Sequence, residues 1–239
     1  MNYRDLSLID IGDKKLIFAT DSSGAIGMKE NDQVRIDNYR LGRFLAQVPF
    51  MEIMATGAEP FYVFLPIANE MEPTAAGIIE GVKSIMKEAG MDLGSINGST
   101  EENMATSQTG AAITIMAVVD GNFKLPKAKR GQGVFSIGLP KVGQEVLNDR
   151  GEIMTLYHLK ELRKMDFVGD ILPVGSKGIY YEAGEMARSN SLELELIFKE
   201  DLIYKSAGPA TVALCSAPED KFEELKKLAL PVNLIARLV

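Results

Sequence analysis

The chain has 239 residues, 46% hydrophobic and 25% charged, the balance of a folded protein with room for one large domain or two small ones. Its net charge of −7 works against nucleic-acid binding. No apolar run reaches the ~18 residues of a membrane span, and Met1-Asn2-Tyr3-Arg4-Asp5 lacks the basic-then-apolar pattern of a signal peptide. A cytoplasmic protein with small-molecule partners, and neither nucleic acid nor membrane, is the expectation. One cysteine and one histidine exclude an internal disulfide and argue against a zinc site or a Ser-His-Asp triad. Chemistry is left to carboxylates, lysines, hydroxyls and backbone, an inventory suited to Mg²⁺ and phosphate.

In chain order, Leu6-Ser7-Leu8-Ile9 reads as a short apolar strand behind Asp5, and Lys15–Thr20 as a strand running into a loop, Asp21-Ser22-Ser23-Gly24-Ala25-Ile26-Gly27. Residues 38–58 predict a buried helix that Pro49 should kink or split, with Gly57 as C-cap and Pro60 as stop. A strand follows at 61–66. Ala75, Ile78, Ile79, Val82, Ile85, Met86 and Ala89 then repeat with a period near 3.6, so residues 74–89 predict a packing helix begun by Pro73 and ended by Gly90. Residues 95–103 read as a polar loop and 111–119 as a long apolar strand. Residues 121–131, with the cluster Lys124, Lys127, Lys129 and Arg130, read as a linker. The second half predicts a strand at 133–138, a helix at 152–164, a turn at Gly175-Ser176-Lys177-Gly178 and a helix at 179–189. Strands at 192–198 and 210–215 and a helix at 219–229 complete it. Mixed elements in both halves predict an α+β fold with domains at 1–122 and 131–239.

Three polar clusters sit where loops meet regular elements: Asp21-Ser22-Ser23-Gly24, Glu52 before Gly57-Ala58-Glu59-Pro60, and Asn97-Gly98-Ser99-Thr100-Glu101-Glu102. Each reads equally as a ligand site or as a turn, a surface residue or a connection. Asp5 reads as a solvated residue near the chain start or as a fourth carboxylate. Gly169 to Lys177 fails the phosphate-loop pattern, because five residues separate Gly169 from Gly175 and Ser176 precedes the lysine. Lys177 is left as either a turn residue or a ligand contact.

Taken together and in order, these words resemble the PurM-like (aminoimidazole ribonucleotide synthetase-related) superfamily over most of the chain. Thr20-Asp21 matches that family's strand-end Thr-Asp, and Gly57-Ala58-Glu59-Pro60-Phe61 its Gly-Ala-x-Pro turn. Asn97 to Glu102 resembles its Gly-Gly-Asp/Glu-Thr loop, and Ile137-Gly138-Leu139-Pro140 the Gly-Leu-Pro opening its second domain. The chain departs at Glu52, where the family has Asp, and at Ser99, where it has an acidic residue; Glu101 or Glu102 could supply that charge. The resemblance implies an N-terminal α/β domain forming a dimeric β-barrel and a C-terminal α/β domain on the substrate side. It implies ATP, contacted by Asp21, Ser22, Ser23, Gly24, Gly98, Ser99, Thr100 and Lys177, and Mg²⁺ held by Asp5, Asp21 and Glu52. Asp21, Glu52, Glu101 and Glu102 would carry the chemistry, and a homodimer is expected.

Within the superfamily the chain looks most like the α-ribazole kinase branch, on the segments around Asp21–Glu30, Asn69–Thr74, Gly98–Asn103, Pro173–Gly178 and Lys205–Thr211. That likeness implies an ATP-dependent phosphotransferase converting α-ribazole to its 5′-phosphate in cobamide salvage. The competing readings are a thiamine-monophosphate-kinase-like enzyme, a cyclo-ligase like aminoimidazole ribonucleotide synthetase, and a non-catalytic nucleotide-binding subunit.

Overall fold

The computed structural model describes residues 2–239 and divides into two compact units. The first closes at Phe123; the second is Lys124–Val239 together with Met54–Gly57. Both mix sheet and helix, the α+β arrangement the sequence predicts, and among the described residues no helix is long and apolar enough to cross a membrane.

In the first unit, β1 (Asn2–Tyr3), β2 (Leu6–Ile11) and β3 (Lys14–Gly24) precede a two-residue ribbon, β4 (Ile26–Gly27) with β5 (Val34–Arg35). Helix α1 (Asn38–Ala55), β6 (Pro60–Pro66), α2 (Ala76–Ala89), β7 (Ile96–Ser99) and β8 (Gly110–Asp120) follow. The main sheet has the order β1-β2-β3-β8-β6-β7, antiparallel throughout except for β6 with β7. Strand alternation divides its faces. Ile17 and Ala19 on β3, Ile113, Ile115 and Ala117 on β8, and Val63 and Leu65 on β6 form the buried face.

Helix α1 stays unbroken across Pro49. The proline removes one backbone donor, but Ala46, Phe50, Met51 and Ile53 around it are fully buried, and that packing holds the adjoining turns in line. Helices α1 and α2 touch backbone to backbone. A Cβ on Gly42 would stand 2.1 Å from the Ile78 carbonyl oxygen, and one on Gly81 2.1 Å from that of Tyr39. Helix α2 begins two residues later than the sequence predicts, because a wide turn at Met71–Ala75 precedes it. It ends as predicted on left-handed Gly90, whose N–H and that of Met91 cap the carbonyls of Lys87 and Met86.

Two further expectations fail in this unit. Asp21 to Gly24 are strand rather than loop, because Ile113, Ala112, Ala111 and Gly110 of β8 pair with them one by one. Residues 96–99 are strand as well: Gly98 lets β7 lie so close to β6 that a Cβ would fall 2.0 Å from the Leu65 oxygen.

In the second unit, β9 (Gly133–Ile137), α3 (Gln144–Leu147), α4 (Leu156–Arg163), β10 (Ile171–Pro173), α5 (Gly178–Ser189), β11 (Leu194–Leu196), β12 (Ala213–Ala217), α6 (Phe222–Leu225) and β13 (Val232–Leu238) build an antiparallel sheet of order β10-β12-β9-β13-β11. Its core includes Val134, Leu172, Ile179, Met186, Leu214 and Ile235. The helix expected from 152 starts only at Leu156, since Thr155 is extended and Glu152 reaches Lys141 at 2.6 Å. The helix expected over 219–229 is mostly 3₁₀, with a single α-turn at α6. Leu225 and Leu228 are its buried residues, a spacing of three that the tighter helix satisfies.

Gly42→Ala should therefore lower the unfolding free energy by roughly 1–3 kcal/mol, the usual cost of overpacking. Urea denaturation checks this, and an unchanged midpoint would show that the two helices part without cost.

Candidate functional site

The β3–β8 register turns Asp21 and Ser23 toward the same buried face as Ile17 and Ala19. Burial pushes the Asp21 carboxyl above its ordinary range, and a 2.8 Å hydrogen bond from the Ser22 N–H offsets only part of that. Ser23 Oγ is buried and makes no hydrogen bond among the described residues. A buried hydroxyl left so costs roughly 1–3 kcal/mol. Ser22 and Gly24 alternate to the exposed side.

Beyond Gly24 the chain turns at left-handed Ala25, whose N–H donates to the Thr109 carbonyl. From there three loops, 25–37, 67–75 and 100–110, are stitched by buried polar groups. Asp32 accepts from the Thr109 N–H and hydroxyl at 2.8 and 2.7 Å and from the Lys29 N–H at 2.9 Å. Fully buried Asn69 donates to Thr106 Oγ1 and the Gln108 carbonyl and accepts from the Gly110 N–H. Lys29 pairs with Glu70 at 2.7 Å, and Lys29 and the Thr74 hydroxyl hold the Glu70 carboxyl down at about 2. None of these residues was singled out as a site residue from the sequence. The signal present was the polar pair Asn69-Glu70, which follows Ile67-Ala68 after the apolar strand at 61–66.

Glu101 and Glu102 belong to the same network. Glu101 Oε1 accepts from the N–H groups of Asn103 and Met104, which hold its carboxyl below the usual range. Glu102 Oε1 accepts from the Met71 N–H and the Thr100 hydroxyl. Both carboxylates shape the loop, and Glu101 is a weakened proton acceptor. Gly98 lies in the same cross-strand row as Asp21, with Ile113 and Leu65 between them, hence about 14 Å away at ordinary strand spacing. Ser99 follows on the edge strand.

Asp5 is exposed in the turn between β1 and β2. Continuing the Ser7–Phe18 register sets it level with Thr20, one residue from Asp21 on the neighbouring strand. Glu52 lies on α1 between fully buried Met51 and Ile53, with Oε2 enclosed. Among the described residues no group of three or more His, Cys, Asp or Glu side chains is gathered for a metal. Asp5, Asp21 and Glu52 are thus not a preassembled cage. Their hard oxygens, with the unbonded Ser23 hydroxyl, fit Mg²⁺, which commonly takes one or two carboxylates and completes its shell with water and phosphate.

Lys177 belongs to the second unit. Its Nζ lies 3.0 Å from Tyr181 Oη and 4.2 Å from the centre of that ring. Cys215 is buried, which pushes its thiol far up. His158 is lowered by burial and bonded to the Thr155 hydroxyl at 2.9 Å.

Residues 3–121 match the family model described as AIR synthase related protein, N-terminal domain. No curated protein sequence matches the chain. Among solved structures, T. maritima PurL complexed with ATP superposes with a TM-score of 0.64 at 13% identity, over 98% of this chain and 42% of PurL. This chain therefore spans well under half of PurL. Thiamine-monophosphate kinase from Stenotrophomonas maltophilia K279a gives 0.66 at 14% identity, over 98% of this chain and 89% of the kinase. AaThiL complexed with AMPPCP and TMP gives 0.64 at 14%, over 98% and 84%. Likenesses at these identities show a shared fold.

The raised Asp21 carboxyl sets a pH dependence with a definite sign. A folded-state pKa above the unfolded one costs stability as pH rises through the folded value, and costs nothing below the unfolded one. Asp21→Asn should thus unfold at higher urea than the parent at neutral pH, with the gain vanishing as pH falls through the carboxylate range. Urea midpoints measured across that range check it; a variant weaker at neutral pH would mean that the Asp21 carboxylate is already compensated.

Proposed function

Because this chain belongs through residues 3–121 to the AIR synthase related family, and has the PurM-like fold, we propose that it is an ATP- and Mg²⁺-dependent phosphotransferase acting on a small riboside. The observation that carries this reading is the undercompensated pair on β3: a desolvated carboxylate at Asp21, with one hydrogen bond from the Ser22 N–H, beside a buried, unbonded hydroxyl at Ser23. Polar groups held at such cost are characteristic of binding sites. A phosphate-bound cation would relieve both.

In this reading Asp21 and Asp5 hold Mg²⁺, with Glu52 assisting from α1, and the ion when bound neutralises charge on the phosphates. Gly24 and the main chain at the ends of β3 and β7, with Gly98, Ser99 and Thr100, give the triphosphate a close backbone approach. Glu101 and Glu102 fix the loop and orient the acceptor hydroxyl. Phosphoryl transfer through a loose transition state needs alignment and charge neutralisation more than a strong base, which suits the weakened basicity of Glu101. The structural relatives crystallised with ATP and with AMPPCP support the nucleotide. The thiamine-monophosphate kinase shows that a kinase is built on this fold. The acceptor we propose, an α-riboside such as α-ribazole phosphorylated at its 5′ hydroxyl, rests on the segment likeness alone.

A homodimer is part of the proposal. The face of the main sheet opposite the core is apolar yet uncovered. Ile9, Leu16 and Val118 form one row, Phe18, Met116 and Tyr62 the next, and Thr20, Thr114 and Phe64 a third. Ile9, Phe64 and Val118 are each at least 40% exposed. A second copy laid on this face would cover a patch of the kind that marks interfaces.

Two measurements test these readings. Incubation with ATP, Mg²⁺ and a nucleoside panel, read by mass spectrometry, should yield ADP and a phosphorylated riboside. Asp21→Asn should slow that transfer on the order of 10²–10³-fold without loss of fold, and parental turnover in the variant removes Asp21 from the mechanism. Phe64→Lys should shift the protein from dimer to monomer in light scattering, and a monomeric parent would discard the interface.

A further inference from the structure

Three methionines stand out on the first unit. Met28, Met71 and Met104 are 57%, 42% and 69% exposed, and no other methionine is among the large exposed hydrophobics of the described residues. Each lies on a different one of the three stitched loops, and the stitching brings those loops together. Met28 precedes Lys29 and Met71 follows Glu70, the two partners of the 2.7 Å ion pair. The Met71 N–H donates to Glu102, and the Met104 N–H to neighbouring Glu101. The stitched loops continue into the end of β3 through the Ala25–Thr109 hydrogen bond.

The backbone donors around it are already committed. The N–H groups of Lys29 and Thr109 are taken by Asp32, that of Gly110 by Asn69, those of Asn103 and Met104 by Glu101 and that of Met71 by Glu102. What these loops offer a ligand is flexible, polarisable thioether surface, which adapts to flat π faces. Their backbone offers few donors with which to tell one ring's edge from another's, and the Arg35 guanidinium beside Met28 is already turned to the Met28 and Glu30 carbonyls.

We propose that Met28, Met71 and Met104 form the seat for the nucleobase of the bound nucleoside triphosphate. The base is held by its face rather than read by its edge, so adenine and guanine are accepted alike. This rests on the nucleotide-binding reading above and adds base tolerance to it.

Calorimetric titration with the non-hydrolysable analogues AMPPCP and GMPPCP, and with inorganic tripolyphosphate, all with Mg²⁺, tests it on the full chain. The parent should bind the two analogues within about tenfold of each other, and Met28→Ala/Met71→Ala/Met104→Ala should weaken both by about tenfold or more while leaving tripolyphosphate unchanged. Should the triple variant not fold, Met104→Ala, at the most exposed of the three positions, should weaken both analogues by at least about threefold. Unaltered analogue binding in the folded variants, or a guanosine analogue bound more than about tenfold less well by the parent, overturns the seat while nucleotide binding stands. A parent that binds neither analogue overturns the nucleotide reading and the seat with it.

Discussion

The pairing of β3 with β8 is the constraint on which the site depends. It runs without a break from Lys14 opposite Asp120 to Gly24 opposite Gly110. Alternation along a strand is strict, so slipping this ladder by one residue would turn Ile17 and Ala19 outward and Asp21 with them. Ile17 and Ala19, packed at no exposure, thereby decide which way the polar half of β3 looks. The stability of the core holds a carboxylate and a hydroxyl on the buried side, where they would not stay on their own account. At neutral pH Asp21 is a cost to the fold, and the hydrophobic residues in register with it keep it in place.

Past Gly24 the means change. Residues 25–37, 67–75 and 100–110 hold little regular structure, and buried polar side chains position them. Asn69 satisfies its amide at both ends, and Asp32 takes three donors. Buried polar groups satisfied this fully rigidify a structure, and losing one partner leaves the other unpaired. Glu101 and Glu102 fit this pattern better than that of free catalytic acids, since Glu101 folds back on the Asn103 and Met104 N–H groups and Glu102 reaches across to that of Met71. The loops are thus largely preorganised before any ligand arrives. The exposed methionines are the adaptable part of an otherwise fixed surface.

Much of this was legible in the sequence where one period dominated. Helix α2 could be read from its apolar face and its glycine stop, and β8 from its apolar run. The strand over Lys15–Thr20 was legible too, although the glycine and serines after it read as loop when cross-strand partners in fact extend β3 through Gly24. β7 was hidden for a related reason: Asn97-Gly98-Ser99 has turn composition, and only the close approach of Leu65 explains why glycine suits a strand there. β13 escaped notice because a register shift between Leu234 and Ala236 interrupts its alternation. The loop network was illegible because Asp32, Asn69 and Glu70 find partners far along the chain, and no local pattern announces such pairs.

The cost at Asp21 also bears on how a cation would enter. Proton and cation compete for the same oxygen atoms, and a carboxyl raised by burial holds its proton to higher pH than an exposed one. The desolvation that raises it also strengthens attraction to any charge that replaces the proton, because little water is left to screen it. A doubly charged ion carrying its own phosphate oxygens restores to the site the polar partners that burial removed, including one for Ser23. In the proposed reading, the same burial that makes the β3 end costly would favour such a cation over a bare proton. A bare proton satisfies Asp21 alone, whereas a hydrated, phosphate-bearing cation can satisfy Asp21 and the neighbouring hydroxyl together.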